Sequence, residues 1–407
     1  MPQLNKLRTA LPGGLGGNTA PLSSARLRTA LTVFFALDGF LFAGWVVRIP
    51  AIKQQTGASA STLGLALLGV SAGAVVTMTL TGRLCHRFGS HAVTAACAVL
   101  LSLSIALPAQ THSALSLGLV LLVFGAAYGG MNVAMNSAAV DLVSALRRPV
   151  MPSFHAAFSL GGMLGAGLGG LVAGGLSPST HLLVLTGIGL LVTAFAGPVL
   201  LRHPAPVVPE AVNTPAAGRP GRLSGRARRV VLLFGVIALC TAYGEGALAD
   251  WGALHLEQDL HARPGVAAAG YSLFALAMTA GRLSGTVLLE RLGQTRTLVA
   301  GGATAAAGML LGSLAPTAWL ALLGFAVTGL GLANIFPVAV GRAGEVAGPG
   351  GVAAASTLGY GGMLLGPPAI GFLADWFSLP VALTTVAVLA GAAAVLGYGA
   401  RGAAQAR

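Results

Sequence analysis

The chain has 407 residues, of which 55% are hydrophobic and only 8% are charged, and its mean hydropathy is +0.83. This composition excludes two or three ordinary soluble domains, because long runs pass without any Asp, Glu, Lys or Arg. A formal charge of +13 would suggest a nucleic-acid partner, but no basic patch with interleaved aromatic residues accompanies it. We therefore expect a protein embedded in the lipid bilayer, with no nucleic-acid partner.

Twelve apolar segments are long enough to cross a bilayer as helices, since about 20 residues span its core. Residues 1–28 form a polar tail before the first segment. Six segments fill residues 29–201, a linker with five prolines and six arginines occupies 202–229, six more segments fill 230–400, and a tail follows at 401–407. The predicted spans are 29–50, 61–82, 92–109, 115–140, 154–176, 181–201, 230–252, 266–288, 297–315, 318–341, 352–374 and 379–400.

The basic residues predict the orientation of these spans. When the loops are assigned alternately to the two sides, all but four of the 23 lysines and arginines fall on the side of the termini and the linker. The exceptions are Arg48, Lys53, Arg263 and Arg282. Basic loops remain in the cytoplasm, so the sequence predicts a multi-pass protein of the bacterial inner membrane with both termini cytoplasmic. Topology thus accounts for the net charge.

The two groups of six spans repeat each other. A tryptophan stands 19 residues before a glycine in each half (Trp45 and Trp251), and LGGML at 160–164 is echoed by YGGML at 360–364. Two similar six-helix halves joined by a linker are typical of transporters whose site lies between the halves near the bilayer midplane. The predicted fold is therefore an all-α membrane protein of twelve helices in two pseudo-symmetric halves, acting as a monomer.

A small charged motif follows the second span of each half. Residues 82–91 read GRLCHRFGSH and 285–294 read GTVLLERLGQ, sharing the frame Leu-x-[His/Glu]-Arg-x-Gly. Together with the twelve spans, this motif resembles the major facilitator superfamily, whose loop 2–3 signature is Gly-x-Leu-x-Asp-Arg-x-Gly. The first copy departs from that signature at His86.

We expect these motifs to form a cytoplasmic gate, with glycines in the tight turns and arginines bonding neighbouring helix ends. Glu290 can pair with Arg291 or Arg282, whereas His86 does so only weakly when neutral and repels Arg87 when charged. The gate should therefore be asymmetric, with the stronger lock in the second half. The predicted gate residues are His86, Arg87, Gly89, Arg282, Glu290, Arg291 and Gly293.

A narrower likeness is to bacterial sugar permeases of the fucose-permease type. It is carried by MNVAMNSAAV (131–140), RPVMPSFHAAFSLGG (148–162), ADWGALHL (249–256), GLGLANIFP (329–337) and LGYGGMLLGPPAIGFLAD (358–375). This resemblance implies a secondary transporter of small solutes. It also implies an acidic residue in the fourth span, where this chain has Asn132, so a proton role at that position is not carried over.

Asp38 is the acid predicted to lie nearest the bilayer midplane, because it falls roughly 13 Å into the first span. It shares a helix face with Trp45. Ionisable groups inside a bilayer are costly and are usually functional. Asp38 is therefore a candidate substrate ligand or proton carrier; the alternative is a structural acid satisfied by neighbouring hydroxyls or amides.

In the second half, Glu245 of span seven is a candidate for function or for a structural ion pair, and Asp250 is expected to cap or gate with Arg263 or Arg48. Arg282 is expected to bind an anionic group or to pair with Glu290. These assignments follow from the cost of charge in the membrane.

Polar side chains complete the predicted cavity, which we expect spans 1, 4, 5, 7, 8, 10 and 11 to line. Tyr128, Asn132 and Asn136 follow each other at i+4 and suit hydroxyl or amide recognition; the alternative is an interhelical hydrogen-bond seam. Across the pseudo-symmetry the candidates are Tyr271, Asn334 and Tyr360.

Neither a catalytic motif, a nucleotide-binding motif nor a metal-ligand cluster is recognisable, so no enzymatic activity, cofactor or metal is expected. The sequence predicts a secondary transporter of a small polar, sugar-like solute by alternating access, with proton coupling through Asp38 as a hypothesis. The alternatives are an exporter of drugs or metabolites of the same superfamily, and a non-transporting membrane sensor or scaffold.

Overall fold

The computed structural model describes residues 19–146, 150–202 and 225–401, which are almost entirely helical. Within these ranges the helices are α1 Thr19–Val46, α2 Ile49–Thr56, α3 Ala60–Phe88, α4 Ser90–Ser104, α5 Ala114–Leu146, α6 Met151–Ala173, α7 Pro178–Arg202, α8 Gly225–Gln258, α9 Pro264–Leu283, α10 Gly285–Ser313, α11 Ala318–Leu332, α12 Ile335–Trp376 and α13 Leu379–Gly399. Most of the predicted tails and linker lie outside the described residues.

Ten helical stretches in the described part of the chain are long and apolar enough to cross a membrane. The other two predicted spans, 297–315 and 352–374, belong to α10 and α12. A break at Gly293, with φ 73° and ψ 167°, separates the span in α10 from the residues before it. Helix α12 reverses before Gly351, which lies against the carbonyl of Ala343; eight residues of straight helix would separate them by about 12 Å. The fold is therefore twelve spans in two six-helix halves.

Two local features differ from the predicted segments. The short helix α2 follows the first span, starts with Pro50 in its first turn and ends at Gly57, whose φ of 63° favours glycine. The predicted tenth span is divided, because α11 ends at Leu332 and the chain restarts as α12 after Asn334.

Small residues bring the spans of each half into close contact. On α6, Gly161 and Gly165 lie against the backbone carbonyls of Ala36 and Phe40 on α1. Any side chain there would overlap these carbonyls, so the two helices approach this closely only because both positions are glycine. This seam fixes the orientation of α1, which supplies residues to the space between the halves.

The two halves meet at the end of the bundle that carries α2, which we call the closed end; the opposite end, which flanks residues 203–224, is the linker end. At the closed end Lys53 Nζ donates to Gln258 Oε1 at 3.0 Å, and Gln54 Nε2 donates to Glu257 Oε1 at 3.4 Å. Further along α3, Gly64 packs against the backbone of Pro367 on α12. Contacts between α3 and α12 and between α2 and α8 thus close this end.

The start of α3 is capped by an acid from the other half. Asp375 accepts hydrogen bonds from the backbone N–H groups of Ala60 and Ser61 at 3.0 and 2.9 Å, and from the Ser59 hydroxyl at 3.0 Å. A carboxylate at a helix N-terminus is favoured by the unpaired N–H groups and the helix dipole. Desolvation opposes ionisation, but hydrogen bonds from Ser61, Ser59 and Ala60 outweigh it and lower the pKa of Asp375 below its ordinary value.

Candidate functional site between the two halves

A cavity of about 220 Å³ lies between the halves. Its wall is formed by α1, α3, α5 and α6 from the first half and by α8, α9 and α12 from the second. These helices correspond to spans 1, 2, 4, 5, 7, 8 and 11. The prediction named span 10, which does not contribute to this lining, and omitted span 2, which does. Arg282 and Tyr360 line the cavity and are substantially exposed, which shows that it opens toward the linker end.

Aromatic rings form much of the wall. Phe42 and Tyr128 stack with their ring centroids 5.0 Å apart, and Tyr128 stacks in turn on the buried Phe124 at 6.5 Å. On the opposite side, Tyr271 and Phe274 of α9 lie 6.3 Å apart. Of the predicted aromatic site residues, Trp45, Tyr128, Tyr271 and Tyr360 all line the cavity.

The charged groups of the wall come from the second half. Arg282 Nη2 donates to both carboxylate oxygens of Glu245 at 3.3 and 3.4 Å, and its Nε donates to the carbonyl of Ala333 at 3.4 Å. The expected pairing of Arg282 with Glu290 is therefore wrong. Arg282 occupies the last turn of α9 and lines the cavity between the halves, and its predicted role in the gate stays a prediction.

Asp250 also lines the cavity, which sequence reasoning missed. It was expected to cap or gate with Arg263 or Arg48, but no ion pair or hydrogen bond joins it to another of the described residues. Arg48 instead donates to His181 Nδ1 at 2.8 Å and to the carbonyl of Ala173 at 3.2 Å. The i+4 spacing of Gly246 and Asp250 on α8 is the sequence signal that could have placed Asp250 on the cavity face.

Asp38 lies behind the wall rather than in it. Its residue is completely buried, and neither carboxylate oxygen has a hydrogen-bond partner among the described residues. Its helix neighbours Gly39 and Phe42 face the cavity instead. The expectation that neighbouring hydroxyls or amides satisfy Asp38 is therefore wrong for this structure, in which Asp38 does not line the cavity.

The three predicted asparagines do not line the cavity. Asn136 Nδ2 donates to the backbone carbonyl of Asn132 at 2.8 Å, within the same helix. Asn334 Nδ2 donates to the carbonyl of Gly281 at 2.8 Å and so joins the start of α12 to the end of α9. The amides of Asn136 and Asn334 therefore stabilise backbone structure, and the polar part of the wall consists mainly of hydroxyl and charged groups.

The six remaining gate candidates lie at the linker end. Gly89 and Gly293, 204 residues apart, both have positive φ, 84° and 73°, a region that favours glycine, and each breaks the helical path after its arginine. His86, Arg87, Glu290 and Arg291 are exposed, and no ion pair among the described residues includes any of these four side chains. The expected pair of Glu290 with Arg291 is not formed.

Comparison with known proteins identifies the family. The family model of the Major Facilitator Superfamily matches residues 29–251 and 234–405, which is nearly the whole chain. The chain belongs to this superfamily. The facilitator is 34% identical over 375 residues to an uncharacterised transporter of this type from Yersinia pestis, covering 91% of the chain and 94% of the relative. It is also 31% identical over 359 residues to the membrane protein MosC of Rhizobium meliloti, covering 87% and 85%.

Solved structures share the fold of this facilitator at low sequence identity. A bacterial homologue of the lysosomal transporter Spinster, in an inward-facing and unoccupied conformation, superposes with a TM-score of 0.76 at 14% identity, covering 94% of this chain and 97% of the other. The nucleoside transporter NupG superposes with a TM-score of 0.71 at 15% identity, covering 94% and 100%. These similarities carry the fold alone.

Proposed function

We propose that this facilitator is a secondary active transporter of the bacterial inner membrane, which works as a monomer and moves a small polar organic solute by alternating access. The observation that carries the proposal is a cavity between two halves that touch at one end and leave the cavity accessible from the other. A solute bound between the halves could be released on either side if the halves rocked against each other.

The basic loops indicate which end of the helix bundle faces the cytoplasm. The linker end carries most of the lysines and arginines, so we assign it to the cytoplasm. The structure described above then corresponds to an inward-open state. The fucose-permease likeness of the sequence, and a wall that combines aromatic rings with hydroxyls, support a polar solute.

Proton coupling through Asp38 forms the second part of the proposal. A buried carboxyl group without a hydrogen-bond partner is most stable as the neutral acid, because the ionised form has lost its hydration. In another conformation that exposes Asp38 to the cavity, the proton could be released. Asp38 would therefore act as a proton carrier behind the wall rather than as a substrate ligand.

Alternating access is tested by distance measurements between spin labels, which need no known solute. In a variant lacking the three native cysteines, one pair would join the halves at the closed end (positions 112 and 261) and a second at the linker end (positions 83 and 296). The proposal predicts two conformations in which one distance lengthens as the other shortens. A pair within the first half, at positions 83 and 112, is the control and should keep one distance.

Two other outcomes would change the assignment. A single, invariant set of distances under every solute and pH condition would favour a sensor or scaffold over a transporter. If the distances do change, uptake and counterflow in proteoliposomes would separate import from export. For proton coupling, Asp38→Asn should abolish pH-driven uptake while Asp259→Asn, which removes a carboxylate outside the cavity, should not; equal uptake in both variants would contradict it.

A further inference from the structure

The charges of the cavity do not balance. Glu245 is matched by Arg282, whose guanidinium group donates to both of its oxygens. Asp250 lines the same cavity and has no cationic partner among the described residues. The wall therefore contains one carboxyl group without a charged partner, in a region where an unpaired charge is strongly disfavoured.

The neighbouring basic side chains do not pair with Asp250. Lys53 donates to Gln258 at the closed end, and Arg48 donates to His181 and to the carbonyl of Ala173. Arg263 is exposed at the start of α9. None of these cations pairs with Asp250, so its carboxyl group is favoured in the ionised form only when a cation from outside the described residues lies beside it.

The surroundings of Asp250 are suited to a ligand cation. Seven aromatic residues line the cavity with it: Phe42, Trp45, Tyr128, Phe158, Tyr271, Phe274 and Tyr360. The faces of such rings attract ammonium groups, most strongly where water is excluded. Asp250 is also accessible, because Gly246 and Ala249 lie beside it on the cavity face, and a Cβ on Gly246 would approach nothing closer than Met363 Cα at 3.8 Å.

We propose, building on the transport function above, that the solute carries a protonated amine or a quaternary ammonium group, and that Asp250 is its counter-charge. A neutral polyol would supply no partner for this carboxyl group, and the amides of Asn136 and Asn334, which would suit a polyol, are bonded to backbone carbonyls away from the cavity. An anion would have to displace Glu245 from Arg282 and then face Asp250.

The test uses two matched sets of probes, with the full-length protein in lipid nanodiscs. Choline is compared with 3,3-dimethylbutan-1-ol, which has the same shape without the charge, and glucosamine with glucose and glucuronate, which share its ring. Binding is followed by thermal stability and by the intrinsic tryptophan fluorescence of the protein, to which Trp45 in the cavity wall contributes. At neutral pH, where choline is cationic and most glucosamine is protonated, at least one cation should bind about tenfold or more tightly than its neutral counterpart.

Variants assign this preference to one residue. Asp250→Asn should remove the preference, Asp250→Glu should retain most of it, and Glu345→Gln, which removes a carboxylate exposed at the linker end, should leave it unchanged. The cation assignment is overturned if neither cation binds, if neutral probes or glucuronate bind as tightly, or if Asp250→Asn keeps the preference. Opposed distance changes between the spin-label pairs would still support transport in that case, so the two failures are distinguishable.

Discussion

The two copies of Gly-Gly-Met-Leu occupy equivalent helices, yet they pack through different glycines. In α6 the first glycine, Gly161, lies against the carbonyl of Ala36 on α1, whereas in α12 the second, Gly362, lies against the carbonyl of Leu239 on α8. One residue corresponds to a rotation of about 100° around a helix. The sequence repeat is therefore not a repeat of packing.

This rotation changes what each half contributes to the cavity. Tyr360 of α12 lines the cavity, whereas its counterpart Leu160 is exposed and is not part of the wall. The charged groups of the wall, Glu245, Asp250 and Arg282, all belong to the second half. The first half contributes rings and hydroxyls and keeps Asp38 behind its wall.

The closed end shows the same asymmetry. The contact between α3 and α12 combines close backbone packing, as at Gly64 and Pro367, with a polar part in which Asp375 caps the N-terminus of α3. The pseudo-symmetric contact between α6 and α9 is made by small residues, with Gly170 against Ala268 and Gly265. Only the first contact depends on a titratable group.

The largest expected effect is a loss of stability when the closely packed glycine of either Gly-Gly-Met-Leu copy is replaced. Gly161→Ala and Gly362→Ala should each destabilise the protein by about 1–3 kcal/mol, because the new methyl group overlaps a carbonyl that cannot move without its helix. Gly361→Ala is the matched control, since nothing lies within 4 Å of its Cβ. It should be neutral or stabilising by up to about 1 kcal/mol, because alanine favours helix more than glycine does.

Thermal denaturation in one detergent measures all three variants side by side. Equal losses for Gly361→Ala and Gly362→Ala would show that α12 has the same register as α6 and would remove the basis of the comparison.

A smaller effect concerns the charges confined to the second half. A double-mutant cycle of Glu245→Gln and Arg282→Gln should give a coupling of about 1 kcal/mol or less, because Arg282 is 41% exposed and solvent screens the pair. The surface pair Arg342–Glu345 provides a comparison, with an expected coupling of about 0.3–0.5 kcal/mol. Solute binding should respond to the cavity pair alone; a response to the surface pair would argue against a role specific to the cavity.

The smallest expected effect is a pH dependence of the contact between α3 and α12 at the closed end. The ionised form of Asp375 makes the contact with α3 and its pKa is lowered there, so the contact is present at neutral pH and is lost as the pH falls below about 4. Asp375→Asn should weaken the contact at neutral pH and remove its dependence on pH. Spin labels at positions 65 and 372 should report a longer α3–α12 distance in both cases.

Labels at positions 171 and 263 across the α6–α9 contact provide the control for this measurement. Their distance distribution should be less sensitive to acid and to Asp375→Asn than that of the first pair. An equal change in both pairs would mean that the closed end opens as one unit without a separate titrating contact.

Much of the fold could be predicted from the sequence, because a bilayer imposes a simple rule on it. Apolar segments of about 20 residues must form helices, and the repeat of two sixes follows from the recurrence of Trp45 and Trp251 and of the two loop motifs. Short features escaped this rule. Helix α2 and the division of span ten at Asn334 depend on local capping and packing rather than on hydropathy.

The site was predicted less completely. Trp45, Tyr128, Tyr271 and Tyr360 were assigned to the cavity, where the structure places them, because polar or amphipathic rings on a span seldom face lipid alone. The amides were misplaced, because a hydrogen bond to a backbone carbonyl is available on almost any helix face. Asp250 was missed because its distance along the chain from the predicted midplane suggested the end of the bundle rather than the wall.

By itself, the sequence determined that this chain crosses the membrane twelve times in two related halves, because hydrophobic length and motif recurrence are properties of single segments. The tertiary structure decided which face of each span meets the cavity. That choice depends on close contacts between helices, such as Gly161 with Ala36 and Gly362 with Leu239, and a one-residue change of register turns a helix by about 100°. The packing of the helices therefore buries Asp38 behind the cavity wall and places Asp250 in that wall.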